Sequence, residues 1–219
     1  MVLVSSDAAP RWERARRIPV VSAVVLLHIS CYYGATRINA GRPAASLYDL
    51  AIPLDALIPH LPWTWPLYWI AYPFVVVGGG AALMGLPATA FRRAIVAFIG
   101  MTLAGALIQV LVPARAPWPD VPAAAQRFVH QSALVLPYAN LPSMHVAYCV
   151  LAAAFIATRA HSRVVAGGAW LVALLVSLAT VTLKEHFFVD AVAGVLLALA
   201  AFAWWRRGAG GGQGAGGPV

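Results

Sequence analysis

Four ionisable side chains lie within seven residues in the stretch Lys184-Glu185-His186-Phe187-Phe188-Val189-Asp190, between two long apolar runs. Ionisable groups at the edge of a membrane segment are costly to bury, so such a cluster predicts a functional site. His186 and Asp190 are spaced so that both side chains share one face of a helix. A carboxylate that orients an imidazole is a common part of catalytic sites. The stretch therefore predicts a histidine with a catalytic role.

A second histidine follows a helix-start signal in Asn140-Leu141-Pro142-Ser143-Met144-His145. Pro142 and Ser143, taken alone, are ordinary residues at the start of a helix. The free N–H groups of a helix N-terminus also favour an anion, toward which His145 in the first turn would project. A lone histidine at such a position is more commonly an interfacial residue than a catalyst.

The composition predicts an integral membrane protein. Of the 219 residues, 62% are hydrophobic and only 10% are charged, and the mean hydropathy is +0.80. A water-soluble domain does not need so much apolar surface. The net charge of +8 does not indicate nucleic-acid binding, because the basic residues are scattered between apolar segments. Cys31 and Cys149 lie in separate apolar runs without the spacing of metal ligands.

The apolar segments predict an all-α fold, a polytopic bundle of six transmembrane helices over residues 18–35, 65–84, 92–112, 143–158, 164–183 and 187–205. This membrane domain covers residues 18–207. A basic N-terminal segment, 1–17, precedes it, and a Gly-rich tail, 208–219, which we expect to be disordered, follows it. Pro73 and the glycines at 78–80 predict a kink or the close approach of a neighbour in the second helix. The loop before that helix contains a semi-apolar piece, 46–58, that predicts a short interfacial helix.

The basic residues predict the orientation. With the N- and C-termini in the cytoplasm, ten of the fifteen Lys and Arg residues lie on the cytoplasmic side, as the positive-inside rule requires. The other five share the outer face with the two histidine segments: Arg37, Arg42, Arg115, Arg127 and Lys184. These cations suit an anion such as a phosphate. We therefore predict a multi-pass protein of the cell (inner) membrane whose site faces the extracytoplasmic side.

Two of these motifs resemble those of a known family. Pro142-Ser143-Met144-His145 resembles the Pro-Ser-Gly-His motif of the type 2 phosphatidic acid phosphatase superfamily, which includes lipid phosphate phosphatases and shares its site with vanadium haloperoxidases. His186-x-x-x-Asp190 resembles the superfamily's closing motif. The similarity covers about residues 48–196. The wider pattern is closer to the inositolphosphotransferase-like branch in these stretches: Tyr48-Asp49, Ile58-Pro59-x-x-Pro62, residues 113–117, Asn140-Leu-Pro-Ser-Met-His-Val-Ala and Lys184-Glu-His.

The resemblance implies phosphoryl transfer from an anionic lipid phosphate, without a metal or another cofactor. His186 would be the nucleophile and form a transient phosphohistidine, and Asp190 would hold its imidazole in the reactive tautomer. His145 would be the general acid that protonates the leaving oxygen. The expected partners are the substrate and membrane lipids, with no nucleic acid. The acceptor, water in a phosphatase or an alcohol in a phosphotransferase, stays open, as does the oligomeric state.

Three departures from the superfamily's pattern concern phosphate binding. Met144 stands where Gly is usual, Thr180 stands where an Arg is usual six residues before the nucleophile, and the Lys-x6-Arg-Pro motif is not intact. Other residues must then hold the phosphate, and Arg115 is the first substitute for the missing cation. Glu185 is expected to be a solvated partner of a nearby cation. The full set of expected phosphate ligands is Lys184, Arg115, Ser143 and Asn140.

Three other kinds of protein are compatible with these residues. A transporter or channel with a His–Asp relay would carry ionisable groups deep in its spans, whereas here His28 is the exception in lying away from the span ends. A zinc site could use His145, His186 and Asp190, although the nearby cations would oppose the metal. A non-catalytic membrane protein could retain the motif, and Thr180 keeps this alternative open.

Overall fold

The computed structural model of the protein describes residues 11–118, 138 and 141–209. Among these residues there is no strand, only an isolated bridge between Tyr48 and Ala114. The prediction of an all-α fold is therefore confirmed for this part of the chain. Its helices are α1 (Arg11–Ala40), α2 (Pro53–Leu57), α3 (Pro62–Met84), α4 (Ala88–Leu111), α5 (Met144–Arg159), α6 (Arg163–Thr182) and α7 (Phe188–Ala209).

Five helices, α1, α3, α4, α6 and α7, are long and apolar enough to cross a membrane. The sixth, α5, has 16 residues, which at about 1.5 Å per residue is shorter than a hydrocarbon core of roughly 30 Å. Its crossing of the membrane and the orientation of the termini stay predictions. The observed helix ends agree with the predicted ones within about one turn, except that α1 extends beyond both predicted ends. Its basic first residues are good helix formers, so the helix continues past the apolar segment.

The centre of the bundle is α5. It packs against α3, α6 and α7, and eleven of its 16 residues are buried. Ala147, Ala152 and Ala153 have no exposed surface, and such small side chains let helix backbones approach closely in a membrane protein. The helix α4 packs against both α7 and α1, and its Phe98 stacks on Tyr148 of α5, with 5.9 Å between ring centroids. Neighbouring helices on several sides therefore position α5.

The irregular helix of the bundle is α3. Pro73 lacks the N–H that a regular helix would use, and the turn after it, Phe74–Gly79, is a π-helix. Gly79 approaches α5 so closely that a Cβ atom on it would lie 3.0 Å from the Cβ of Ala152. Of the two expected alternatives for this helix, a kink or the close approach of a neighbour, the close approach is confirmed at Gly79. The distortion lies directly after Tyr72, which belongs to the candidate site described below.

The loop between α1 and α3 is tied to the segment that follows α4. The N–H of Tyr48 donates to the carbonyl of Pro113 (2.8 Å), and the N–H of Arg115 donates back to the carbonyl of Tyr48 (3.1 Å). The interfacial helix predicted over 46–58 is limited to the five residues of α2. Asp55 stabilises the start of α2, because its carboxylate accepts the N–H of Ile52 (2.9 Å).

At the opposite end of the bundle, Arg17 binds the connection between α3 and α4. Its side chain is buried and donates to the carbonyl oxygens of Met84 and Leu86. Its guanidinium also lies 4.6 Å above the ring of Phe91. Arg17 belongs to the basic segment that the sequence places before the membrane domain, and in the structure it is part of α1 and of the packed bundle.

Candidate active site

The turn between α6 and α7, residues 183–187, carries His186 and ends α6 in a Schellman motif. The N–H groups of Lys184 and Glu185 donate to carbonyl groups in the last turn of α6. Lys184 has a φ of 60°, the left-handed conformation that Gly usually adopts here and that costs another residue about 1–2 kcal/mol. The motif reverses the chain directly after α6 and brings His186 to the start of α7.

Two side chains fasten this turn to the short helix α2. The Nζ of Lys184 donates to the carbonyl oxygens of Asp55 (2.9 Å) and Ile58 (2.6 Å). In the other direction, the carboxylate of Asp55 accepts the N–H of Phe188 (2.8 Å), the first residue of α7. The turn is therefore held on both sides of His186. These bonds give a physical reason for a lysine in the left-handed conformation, because glycine could not make them.

His186 faces Asp190 on the first turn of α7. The Nδ1 of His186 lies 3.5 Å from the Oδ2 of Asp190, and both side chains are buried. The same carboxylate oxygen accepts the N–H of Phe187 (2.9 Å), which stabilises the start of α7. Because Nδ1 faces the carboxylate, Nε2 on the other side of the ring is the nitrogen left for chemistry.

The start of α5 lies directly against α7. The N–H of Ser143 donates to the carbonyl of Asp190 (2.9 Å). Gly194, one turn further along α7, permits this contact, because a Cβ atom there would lie 2.4 Å from the carbonyl oxygen of Ser143. The contact brings the two predicted histidines together, with 6.4 Å between the ring centroids of His145 and His186.

Two tyrosines of α3 enclose the ring of His145. The Oη of Tyr68 lies 3.3 Å from Nδ1, and the Oη of Tyr72 lies 3.1 Å from Nε2. Tyr68 is buried, whereas Tyr72 is 46% exposed. Sequence reasoning missed both residues. Their spacing of four, which puts them on one face of a helix as it does His186 and Asp190, was the available signal.

A family model described as the PAP2 superfamily, the type 2 phosphatidic acid phosphatases, matches residues 60–204. The chain belongs to the PAP2 superfamily. The match confirms the superfamily expected from the sequence, and it leaves the inositolphosphotransferase-like branch a prediction. Membership supports an enzyme with phosphatase-type phosphoryl transfer. No curated protein and no solved structure matches the chain.

Met144 occupies the position at which the PAP2 motif has a glycine. Its side chain is buried and fills the space beside Gly105 of α4, where an added Cβ atom would lie 2.5 Å from the Met144 Sδ. Leu197 of α7 borders the same space, 3.6 Å from that Cβ position. A glycine on the neighbouring helix thus makes room for the larger side chain, and the site forms despite this departure from the PAP2 motif.

Each expected phosphate ligand that the structure describes has another partner. Lys184 bonds to the carbonyl groups at α2. Arg115 forms an ion pair with Asp49, and this hydrogen bond lowers the pKa of the Asp49 carboxyl. Ser143 is fully buried, and its Oγ accepts an N–H of the first turn of α5, which is the ordinary capping role. Asn140 lies outside the described residues.

Two further residues near His186 are notable. Thr180 stands where PAP2 sequences usually have an arginine, and Glu185 is expected from the sequence to be solvated. Thr180 is fully buried, and its Oγ1 donates to the carbonyl of Ser177 (2.8 Å), so this position offers no cation. Glu185 is only 5% exposed, and its carboxylate accepts the indole N–H of Trp118 (3.0 Å). The expectation of a solvated Glu185 is wrong, because the segment after α4 encloses the turn.

The described residues give no geometric support to the zinc alternative. Across residues 11–118, 138 and 141–209, no three His, Cys, Asp or Glu side chains are arranged to hold a metal ion. His28, the exception among ionisable residues in lying away from the predicted span ends, makes a T-shaped contact with Tyr148 of α5, with 4.5 Å between ring centroids. This contact is an ordinary aromatic one.

Proposed function

We propose that this PAP2 superfamily protein transfers a phosphoryl group from a lipid phosphate or a phospholipid head group to water or an alcohol, through a phosphohistidine at His186. The observation that supports this proposal best is the pairing of two histidines, 6.4 Å apart between ring centroids, only one of which is backed by a carboxylate. The two rings therefore have different environments, as a nucleophile and a general acid require.

The proposed reaction begins with attack of the His186 Nε2 on phosphorus. Asp190 holds the proton on Nδ1, so that the lone pair of Nε2 points away from the carboxylate. The bond between phosphorus and the leaving oxygen breaks as that oxygen gains a proton from the His145 side of the site. Water or an alcohol then attacks the phosphohistidine, loses a proton to the same side, and releases His186 with its lone pair restored.

Phosphate binding in this proposal uses Lys184, Arg115, Ser143 and Asn140 together with the N-terminus of α5. Lys184 is the best supported of these residues by its place in the fold, because it lies in the same turn as His186. Its ammonium has three N–H groups, and two of them are engaged by α2. The third N–H group can donate to a phosphate oxygen.

The proposed substrate is a lipid because five helices in the described part of the chain are long and apolar enough to cross a membrane. The proposed location is the cell membrane with the site on the extracytoplasmic face, as the distribution of basic residues predicts. A reporter fused after Arg207 should then be cytoplasmic. Detection of that reporter on the outer side would contradict the proposed face.

One observation favours a second candidate, a membrane protein that retains the histidines without turnover. The buried hydroxyl of Thr180 takes the place of a phosphate-binding arginine in the resembled pattern. Such a protein would release no phosphate from any lipid.

The test uses detergent-purified protein and a panel of lipid phosphates and diphosphates, each with and without EDTA. We expect phosphate release or head-group transfer that survives EDTA and is lost in His186→Ala. His161→Ala is the matched control, because His161 is an exposed histidine in the turn between α5 and α6, and it should keep full activity. Equal activity in His186→Ala and wild type would contradict the nucleophile assignment, and a lack of turnover with any lipid would favour the second candidate.

A further inference from the structure

Both ring nitrogens of His145 are in contact with tyrosine hydroxyl groups. Nδ1 lies 3.3 Å from the Oη of Tyr68, and Nε2 lies 3.1 Å from the Oη of Tyr72. An imidazole exchanges protons only at these two atoms. A proton that leaves His145 for a substrate must therefore pass through one of the tyrosines, unless one of the two contacts first breaks.

The two tyrosines differ in their access to a substrate. Tyr68 is 4% exposed, and its ring lies against the face of His145, with 4.5 Å between centroids. Tyr72 is 46% exposed, and its ring stands at 90° to that of His145, with 5.5 Å between centroids. The side of Tyr72 is therefore open, whereas the side of Tyr68 is closed by protein.

We propose that Tyr72 is the terminal proton donor of this site, and that Tyr68 is a positioning residue that holds His145. The inference rests on the proposed phosphoryl transfer. As the bond between phosphorus and the leaving oxygen breaks, the hydroxyl of Tyr72 gives its proton to that oxygen. Its phenolic oxygen takes the Nε2 proton of the protonated His145 in the same step, so Tyr72 ends unchanged and the histidine ends neutral.

The Nδ1 proton of His145 stays in place throughout and donates to the Oη of Tyr68. In the second half of the reaction, the attacking water gives a proton to Tyr72, and Tyr72 passes its own proton to Nε2. The histidine is then protonated again, and no proton is gained or lost over the cycle. Tyr72 touches the reacting oxygen in both halves, while Tyr68 acts through His145 alone.

We call this transfer of a proton from His145 through Tyr72 to the leaving oxygen the relay. It predicts that the effect of removing the Tyr72 hydroxyl depends on the leaving group. An alkoxide needs a proton to leave, whereas a nitrophenolate is a stable anion near neutral pH and needs none. Positioned acid catalysis contributes about 10²–10⁴-fold. We therefore expect kcat/KM of Tyr72→Phe to fall about 10²–10³-fold with an alkyl phosphate, and less than about 3-fold with a nitrophenyl phosphate.

The experiment measures kcat/KM of purified wild type, Tyr72→Phe, His145→Ala and His186→Ala on two phosphate monoesters that carry the same alkyl chain, one with an alcohol and one with a nitrophenol as the leaving group. The ratio kcat/KM reports the steps up to release of the leaving group, so hydrolysis of the phosphohistidine does not affect it. Tyr48→Phe is the control, because Tyr48 is 55% exposed in the loop before α2. Retained turnover of the nitrophenyl substrate shows that a variant is folded.

The relay is supported if Tyr72→Phe and His145→Ala share the leaving-group dependence, while His186→Ala loses both substrates. Equal losses on the two substrates in Tyr72→Phe would show a structural or binding role and overturn the relay, and so would full activity on both. Either of these two overturning results would leave the proposed phosphoryl transfer by His186 intact. If neither substrate shows turnover that depends on His186, the proposed function fails and the relay fails with it.

Discussion

Replacing Gly194 by alanine is expected to push α7 away from the start of α5. The new Cβ atom would lie 2.4 Å from the carbonyl oxygen of Ser143 and 3.2 Å from the Cβ of Val146. Favourable contact lies at about 3.5–4.0 Å, so the two helices must separate by roughly 1 Å. Overpacking of this kind destabilises by about 1–3 kcal/mol, and the better helix propensity of alanine offsets about 1 kcal/mol of that loss.

The expected loss of activity in Gly194→Ala is larger than its loss of stability. A displacement of about 1 Å between reacting groups costs about 10²-fold in rate, and Gly194 lies at the contact that brings His145 toward His186. We expect kcat to fall about 10²-fold, with a fall in melting temperature of at most a few degrees, as a net loss of about 0–2 kcal/mol implies for a chain of this size.

The assay compares lipid phosphate turnover and thermal unfolding of the two proteins in the same detergent. Gly167→Ala in α6 is the matched control, because an added Cβ atom there has no other atom within 4 Å. It should keep the wild-type rate, and its melting temperature should equal or slightly exceed that of wild type, because alanine has the better helix propensity. If Gly194→Ala also keeps the wild-type rate, the contact between α5 and α7 does not position the two histidines, and the reasoning is refuted.

Three further tests address other parts of the site. Asp190→Asn keeps an oxygen for the N–H of Phe187 but loses the charge beside His186. We expect activity to fall by about 10³–10⁴-fold with little change in melting temperature. A mild loss of activity would contradict the proposal that Asp190 fixes the tautomer of His186. Lys184→Gly removes the left-handed strain, worth about 1–2 kcal/mol, together with the bonds to α2; we expect a near-neutral melting temperature and a raised KM, and an unchanged KM would remove Lys184 from the phosphate ligands. Met144→Ala should destabilise the protein by about 2–5 kcal/mol in thermal unfolding. Gly105→Ala alone should also destabilise it, but Gly105→Ala added to Met144→Ala should recover part of the loss. Strictly additive effects would show that the side chains at the two positions do not share one space.

Sequence reasoning predicted the elements of this fold well and their mutual contacts poorly. Long apolar runs identify helices directly, because only a helix satisfies its own backbone groups in a bilayer. The spacing of His186 and Asp190 likewise describes neighbours within one helix. The contact of Gly194 with Ser143 depends on which faces of α7 and α5 meet, and hydropathy does not indicate this, since lipid-facing and protein-facing sides are both apolar.

The same limit explains the missed residues around the histidines. Tyr68 and Tyr72 lie in a stretch rich in aromatic residues, in which no single ring is distinguished by its neighbours in the sequence. Asp55 lies in a loop far along the chain from Phe188, whose N–H it accepts. The buried carboxylate of Glu185 accepts the N–H of Trp118, which follows α4. Each of these contacts joins segments whose proximity follows from the packed bundle.

The hydrogen bonds that join α2 to the turn containing His186 have a consequence for the synthesis of the protein. The hydrogen bond from Phe188 to Asp55 joins residues 133 positions apart, and at about 5–20 residues per second the ribosome needs several seconds to make the intervening chain. Until Phe188 has been synthesised, the Asp55 carboxylate lacks this N–H donor, and Lys184 joins the turn to α2 without it. A chain whose synthesis stops before Asp190 carries His145 and both tyrosines but lacks the carboxylate that faces His186, so under the proposed mechanism partial products are expected to be inert toward the lipids around them.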